Sequence, residues 1–289
     1  LASIVGIFVV RVRNEERDPM KSLNFGYLVT AVIMAVLFIF NVRFMLDAPD
    51  VNWLPLYGCA IVGILLSYVF VWLTNYYTSY HSRPVKAIAK SCETGPATNI
   101  IAGVSMGMES TALPVLFICG AIYAAYQLGC LALTGAAGVS AFTAGLYGTA
   151  IATMGMLATC TFVLAMDAFG PITDNAGGII EMSDAPEAVR RTTDRLDACG
   201  NTTKALTKGY AVGSAALAAF LLFSAYIDEV KLLAKDAAGK AADFPIDISK
   251  PEVFIAAFIA VMIVFLFSST AIRAVGRAAE IVILEVRRQ

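Results

Sequence analysis

Leu157-Ala-Thr-Cys-Thr-Phe-Val-Leu-Ala-Met166 runs directly into Asp167-Ala-Phe-Gly-Pro-Ile-Thr-Asp174-Asn175-Ala-Gly-Gly178. The first part reads as the end of a membrane-crossing helix, and the second is polar and rich in small residues. Five more acids follow, at Glu181, Asp184, Glu187, Asp194 and Asp197. The segment closes on Gly200-Asn201-Thr-Thr-Lys204-Ala-Leu-Thr-Lys208-Gly209, and apolar sequence then resumes. Carboxylates clustered at a membrane surface suit a hard, oxygen-seeking cation such as Mg2+. The lysines suit the anion that such a metal escorts.

Composition supports the membrane reading. Of the 289 residues 58% are hydrophobic and only 15% charged, where a soluble domain carries about a quarter charged residues. Mean hydropathy is +0.74. Six scattered cysteines form no CxxC pair and His81 is the single histidine, so a zinc or haem site has almost no ligands to draw on. The cysteines read as small buried hydrophobes. The opening Leu-Ala-Ser-Ile-Val-Gly-Ile-Phe-Val-Val lacks the basic start of a signal peptide. It reads as the tail of a helix, and the chain as an internal piece of a longer protein.

Apolar segments at 1–10 (partial), 24–46, 53–74, 97–125, 138–166, 208–227 and 252–272 predict an all-α, polytopic transmembrane helix bundle of about six full spans plus a partial first helix. The single transmembrane domain covers 1–289, with 167–208 as its cytoplasmic site segment. Small residues, as in Ala136-Ala-Gly-Val-Ser-Ala and from Gly209 to Ala219, let such helices approach closely. Lys plus Arg counts are four in 11–22, none in 47–52, three in 75–95, none in 126–137, five in 167–208, four in 228–251 and four in 273–289. The alternation places 75–95, 167–208 and 273–289 on the cytoplasmic face. The four lysines of 228–251 depart from the rule beside five acids, Asp228, Glu229, Asp236, Asp243 and Asp247.

Asp167, Asp174 and Glu181 are spaced by seven and share one face of an unbroken helix. Gly170-Pro171 is expected to interrupt it, because proline removes a donor and crowds the preceding turn. Asn201, Lys204 and Lys208 form a stripe at i, i+3 and i+7. From Glu181 to Asp194 the charges read as a solvated, salt-bridged surface. Asp174, Asn175, Asn201 and Lys208, set among small residues at helix ends, read as functional.

The two polar strings closely resemble those of the membrane-integral, ion-pumping pyrophosphatases. Further matches are Tyr76-Tyr-Thr, Arg83-Pro-Val, Thr94-Gly-Pro-Ala-Thr-Asn-Ile-Ile-Ala-Gly, Met108-Glu-Ser-Thr-Ala-Leu-Pro and Val275-Gly-Arg-Ala-Ala…Glu285-Val-Arg-Arg-Gln. The resemblance implies hydrolysis of inorganic pyrophosphate with several Mg2+ ions, coupled to moving H+ or Na+ out of the cytoplasm by a homodimer of many-helix subunits. It implies a multi-pass protein of a prokaryotic inner membrane with a cytoplasmic active site. Asp174 matches a metal and substrate aspartate of the family, with Asn175 beside it, and Asn201 and Lys208 match residues that contact pyrophosphate and its metals. Lys204 stands where potassium-dependent members have Ala, and Thr207 where they have Gly. Lys-x-x-Thr is the pattern of the potassium-independent class, whose members typically pump protons, so K+ is not expected as a cofactor. Three departures stand out. Asn75 occupies a position that usually carries Glu, Arg277 one that often carries Lys, and the family's aspartate-rich string is absent. The residue that activates water is accordingly expected outside this chain.

Glu109 falls within the 97–125 run, where an unpaired ionisable group costs roughly 2.5–3.5 kcal/mol. It reads either as part of an ion path or as a structural hydrogen bond, and Asp167 carries the same pair of readings. Arg43 is expected to reach for the interface, with Trp53 and Tyr57 as an interfacial aromatic belt. No phosphate-binding Gly-rich loop is present, and the short basic ends give no nucleic-acid surface. The alternatives to a proton pump are a sodium-pumping pyrophosphatase and a secondary transporter without hydrolysis. The transporter would need its site near the mid-plane, whereas the acids here gather at the surface.

Overall fold

The computed structural model describes residues 1–12, 18–46, 48–136, 138–233 and 247–289. All regular structure among them is helical: α1 (Ala2–Val9), α2 (Pro19–Met45), α3 (Trp53–Thr78), α4 (Arg83–Ser91), α5 (Pro96–Glu109), α6 (Ala112–Ala132), α7 (Ala141–Leu157), α8 (Cys160–Met182), α9 (Glu187–Leu233) and α10 (Pro251–Arg288), with a 3-10 turn at Cys92–Thr94. Five helical stretches are long and apolar enough to cross a bilayer, and α7 with α8, bent by 41° at their junction, make a sixth. Arg13, Arg17, Asp47, Ala137 and the greater part of 228–251, including Lys235, Asp236, Lys240 and Asp243, lie outside the described residues.

The chain divides into two compact units, 1–225 and 226–289. In the first, α2 starts where the Asp18 carboxylate caps the Met20 N–H and Pro19 presets the first turn. Asn52 caps α3 and Ser140 caps α7 in the same way. The core is built on close backbone approach rather than on bulk. A Cβ on Gly63 would collide with the Ala152 carbonyl, and one on Gly155 with that of Ala60, so α3 and α7 touch main chain to main chain. Gly129 of α6 and Gly148 of α7 meet likewise. Lipid tails remove the hydrophobic incentive for helices to associate, so dispersion between such tightly fitted faces becomes the main attraction. At the other end of α2 the Arg43 guanidinium lies 5.8 Å from the centre of the Trp53 ring. The second unit holds α10, on which Phe254 meets Phe258 edge-on and Glu285 pairs with Arg288.

Three stretches differ from the sequence expectation. The run 97–125 is divided, because α5 stops at Glu109 and α6 starts at Ala112. Pro114 has no N–H for the Ser110 carbonyl, and the Ser110 and Thr111 hydroxyls turn back onto the carbonyls of Gly107 and Met108. Glu109 is the exposed last residue of α5, at the joint within the apolar stretch Pro96–Ala132. Gly170-Pro171 does not break α8, which continues to Met182. Proline crowds the Cβ of the residue before it, and Gly170 has none; the loss is confined to one bond at the Asp167 carbonyl. The bend falls instead at Ala158–Thr159, within the run 138–166. There the Met156 carbonyl accepts from the Tyr210 hydroxyl at 2.5 Å, and the Thr159 hydroxyl lies 3.2 Å from that of Tyr27, which in turn lies 2.6 Å from that of Ser67. The Tyr210 hydroxyl of α9 thus satisfies a carbonyl that the interrupted helix frees, and Tyr27 of α2, backed by Ser67 of α3, holds the Thr159 side chain beside it. Lastly, the helix that carries Lys208 starts well before the apolar run 208–227. Lys208 lies within α9, a single 47-residue helix that is roughly 70 Å long, more than twice the ~30 Å of a hydrocarbon layer.

Candidate functional site

The site is set by where α8 and α9 cross. A Cβ on Gly170 would come within 2.6 Å of Lys204 Cγ, and one on Gly200 would collide with the Thr173 hydroxyl and reach within 3.0 Å of Gly170 Cα. Two glycines thus let the helices close to backbone distance, and the Lys204 stem crosses directly over Gly170. Its ammonium ends on Asp174 Oδ2. That contact joins the two polar strings across 30 residues of sequence.

The pair is partly open, with side chains 28% exposed for Lys204 and 45% for Asp174. An ion pair this accessible contributes no more than about 1 kcal/mol to stability. It is too weak to be explained as a staple of the fold. Gly200→Val is a different matter. Its methyl groups have nowhere to go against Thr173 and Gly170, and overpacking of this kind costs about 1–3 kcal/mol. We expect a lowered unfolding temperature for the detergent-solubilised whole protein carrying this change, read by intrinsic fluorescence. An unchanged temperature would mean the helices are not in contact there.

The other predicted residues are distributed around the crossing. Asn201, Lys204 and Lys208 do lie on one stripe, since α9 is continuous through them. Asn201 and Lys208 are exposed. The Asn201 Nδ2 donates to Asp197 Oδ2 at 3.3 Å. The Thr207 hydroxyl bonds back to Thr203 O at 3.2 Å and reaches Val163 O of α8 at 3.4 Å. Asn175 is exposed and its Nδ2 donates to the Pro171 carbonyl at 2.7 Å. Asp167 is half-buried, two turns before Asp174 on the same helix. Glu109 lies outside this group. The surface charges beyond the site pair with one another, Glu181 with Arg190 at 2.5 Å and Glu187 with Arg191 at 2.7 Å.

The end of α3 borders α9 at this level. Thr74, Tyr77 and Ser110 line a cavity of about 210 Å3 with Ala205 and Gly209. The Tyr76-Tyr-Thr string therefore lies beside the lysine-bearing turns of α9. Asp197 was counted among the acids of the segment in the sequence but given no role of its own. It stands one turn before Asn201, and its Oδ1 is buried without a hydrogen-bond partner.

Among the described residues no three His, Cys, Asp or Glu side chains gather into a ready-made metal cage. A Mg2+ ion does not need one. It is commonly held by one or two carboxylates, with waters and substrate phosphates completing the octahedron. Asp174 and Asn201 are oxygen donors of the right hardness for a share of such a site, and the adjacent lysines balance an anion.

The described helices are those of a polytopic helical membrane protein, with a lysine of α9 and an aspartate of α8 in contact where the two helices cross. The chain is a member of the inorganic H+ pyrophosphatase family, whose profile matches residues 1–289. It is 64% identical over 296 residues to the K(+)-insensitive pyrophosphate-energized proton pump of Caldanaerobacter subterraneus, covering 100% of this chain and 40% of that protein. With the K(+)-insensitive pyrophosphate-energized proton pump 2 of Moorella thermoacetica it shares 63% over 290 residues, 41% of that protein. With the pyrophosphate-energized membrane proton pump 3 of Arabidopsis thaliana the identity is 52% over 293 residues, 36% of that protein. The chain thus spans about 40% of the length of these curated relatives.

Proposed function

We propose that the whole protein to which these helices belong hydrolyses inorganic pyrophosphate and uses the energy to move protons across the membrane, without a requirement for K+. The observation that carries this reading is the Lys204–Asp174 contact beside Asn201 and Lys208, in a chain whose similar proteins are named as pyrophosphate-energized, K(+)-insensitive proton pumps. Phosphoryl transfer asks a protein mainly for positioning and for charge neutralisation.

The roles divide by chemistry. Asp174 and Asn201 offer oxygens to Mg2+, which neutralises the pyrophosphate oxygens when bound. Lys208 presents a mobile ammonium to the anion. Lys204 holds a positive charge over Gly170 where a bound K+ would otherwise sit, and Thr207 fixes the neighbouring turn against α8. Asn175 ties down the Pro171 carbonyl, holding the backbone that carries Asp174. The homodimer, the lipid-embedded state with a cytoplasmic site, and the spans read from the sequence belong to the same proposal. The family's remaining acidic strings are needed to complete the metal cage and to activate water.

Phosphate release from membranes containing the full-length protein tests this. We expect Mg2+-dependent release from pyrophosphate that needs neither K+ nor Na+, together with inward acidification of inverted vesicles. The isolated 289-residue segment should release none. Absence of hydrolysis by the complete protein, or a strict demand for Na+, would overturn the assignment.

A further inference from the structure

We propose that Asp197 is a positioning residue that makes Asn201 an oxygen ligand. The inference rests on the role given above to Asn201 and extends it to a residue to which neither the sequence reading nor the comparisons give a part.

The structural reason for an acid at this position is weak. Among the described residues Asp197 accepts one hydrogen bond, from Asn201 of its own helix at 3.3 Å, and its second oxygen is buried with no donor. A buried carboxylate oxygen left unpaired is costly, and such orphans are uncommon in native proteins. An alanine here would lose the contact, remove the orphan and favour the helix. On stability alone the carboxylate has little to recommend it.

Its value becomes clear at the other end of the hydrogen bond. The two ends of a primary amide have nearly the same size, but only the oxygen binds a cation. An ionised carboxylate has acceptors and no donors. Facing Asp197, Asn201 must therefore present its NH2 group, and its Oδ1 is turned the opposite way. Positions 197, 201, 204 and 208 are spaced by four, three and four on one continuous helix, so the outward Oδ1 lies on the stripe that carries Lys204 to Asp174. The negative charge behind the amide also draws electron density toward Oδ1, strengthening it as a donor to Mg2+. Without Asp197 the amide is free to flip and to set an N–H against the metal.

The test uses the full-length protein as wild type, Asp197→Ala, Asn201→Ala and the double variant. The probe is Mg2+ titrated in the presence of imidodiphosphate, a pyrophosphate analogue that is not hydrolysed, with the unfolding temperature as readout; kcat and the half-saturating Mg2+ concentration for pyrophosphate are measured in parallel. Outer partners that orient metal ligands typically carry 10- to 100-fold of metal affinity. We expect each single variant to raise the half-saturating Mg2+ concentration about tenfold, and the double variant to be no worse than either single. In Mg2+-free buffer Asp197→Ala should unfold no earlier than wild type, which separates an orienting role from a merely structural one. If Asn201→Ala shifts the Mg2+ titration and Asp197→Ala does not, or if the two effects multiply in the double variant, the inference fails while the role of Asn201 stands. If Asn201→Ala shifts nothing, the ligand role falls and the inference falls with it.

Discussion

Replacing Asp174 by Asn should lower pyrophosphate hydrolysis by the whole protein at least about 100-fold, the scale on which one preorganised charge-stabilising group acts. The change is isosteric, so the loss comes from charge alone. The same substitution should barely move stability, since the half-open pair with Lys204 is worth about 1 kcal/mol at most. The combination is the diagnostic result: activity gone, unfolding temperature and oligomeric state retained. Phosphate release and thermal unfolding on the same preparation check it. Residual activity above a tenth of wild type would remove Asp174 from the metal site.

Lys204→Ala should create a requirement for potassium. The ammonium is delivered over Gly170 by its own side chain, and a tethered group acts at an effective concentration on the order of millimolar or higher. Removing it leaves a cation-sized vacancy next to Asp174. We expect hydrolysis without K+ to fall about tenfold and to return as K+ is raised into the range of ~10–100 mM that replaces such an effective concentration. Titrating K+ at constant ionic strength with choline as the balancing ion provides the measurement. Equal rates with and without K+ in the variant would show that Lys204 does not occupy a potassium position.

Part of this arrangement was legible before any coordinates. The stripe of Asn201, Lys204 and Lys208 depends only on helical periodicity, and α9 is helical throughout. The charge and hydropathy pattern gave the all-α membrane class, which needs no knowledge of tertiary packing. What could not be read was any feature decided between helices. Lys204 finds Asp174 because Gly170 and Gly200 let α8 and α9 touch, and periodicity within one segment is blind to that. Pro171 was expected to break its helix, but the missing Cβ of the preceding glycine relieves the clash. The bend at Ala158–Thr159 falls inside a uniformly apolar run whose hydroxyl partners, Tyr27, Ser67 and Tyr210, come from distant parts of the chain. Asp197 did leave a local signal. An acid four residues before a predicted amide ligand is at the spacing where helix side chains meet.

The unbroken course of α9 has a mechanical consequence. From Lys208 through Leu217 to Ser224 there is no proline, no break and no change of helix type, so the segment behaves as a stiff rod. A displacement applied at the Lys208 end has no hinge in which to be absorbed and is carried along the rod to the apolar turns around Leu217.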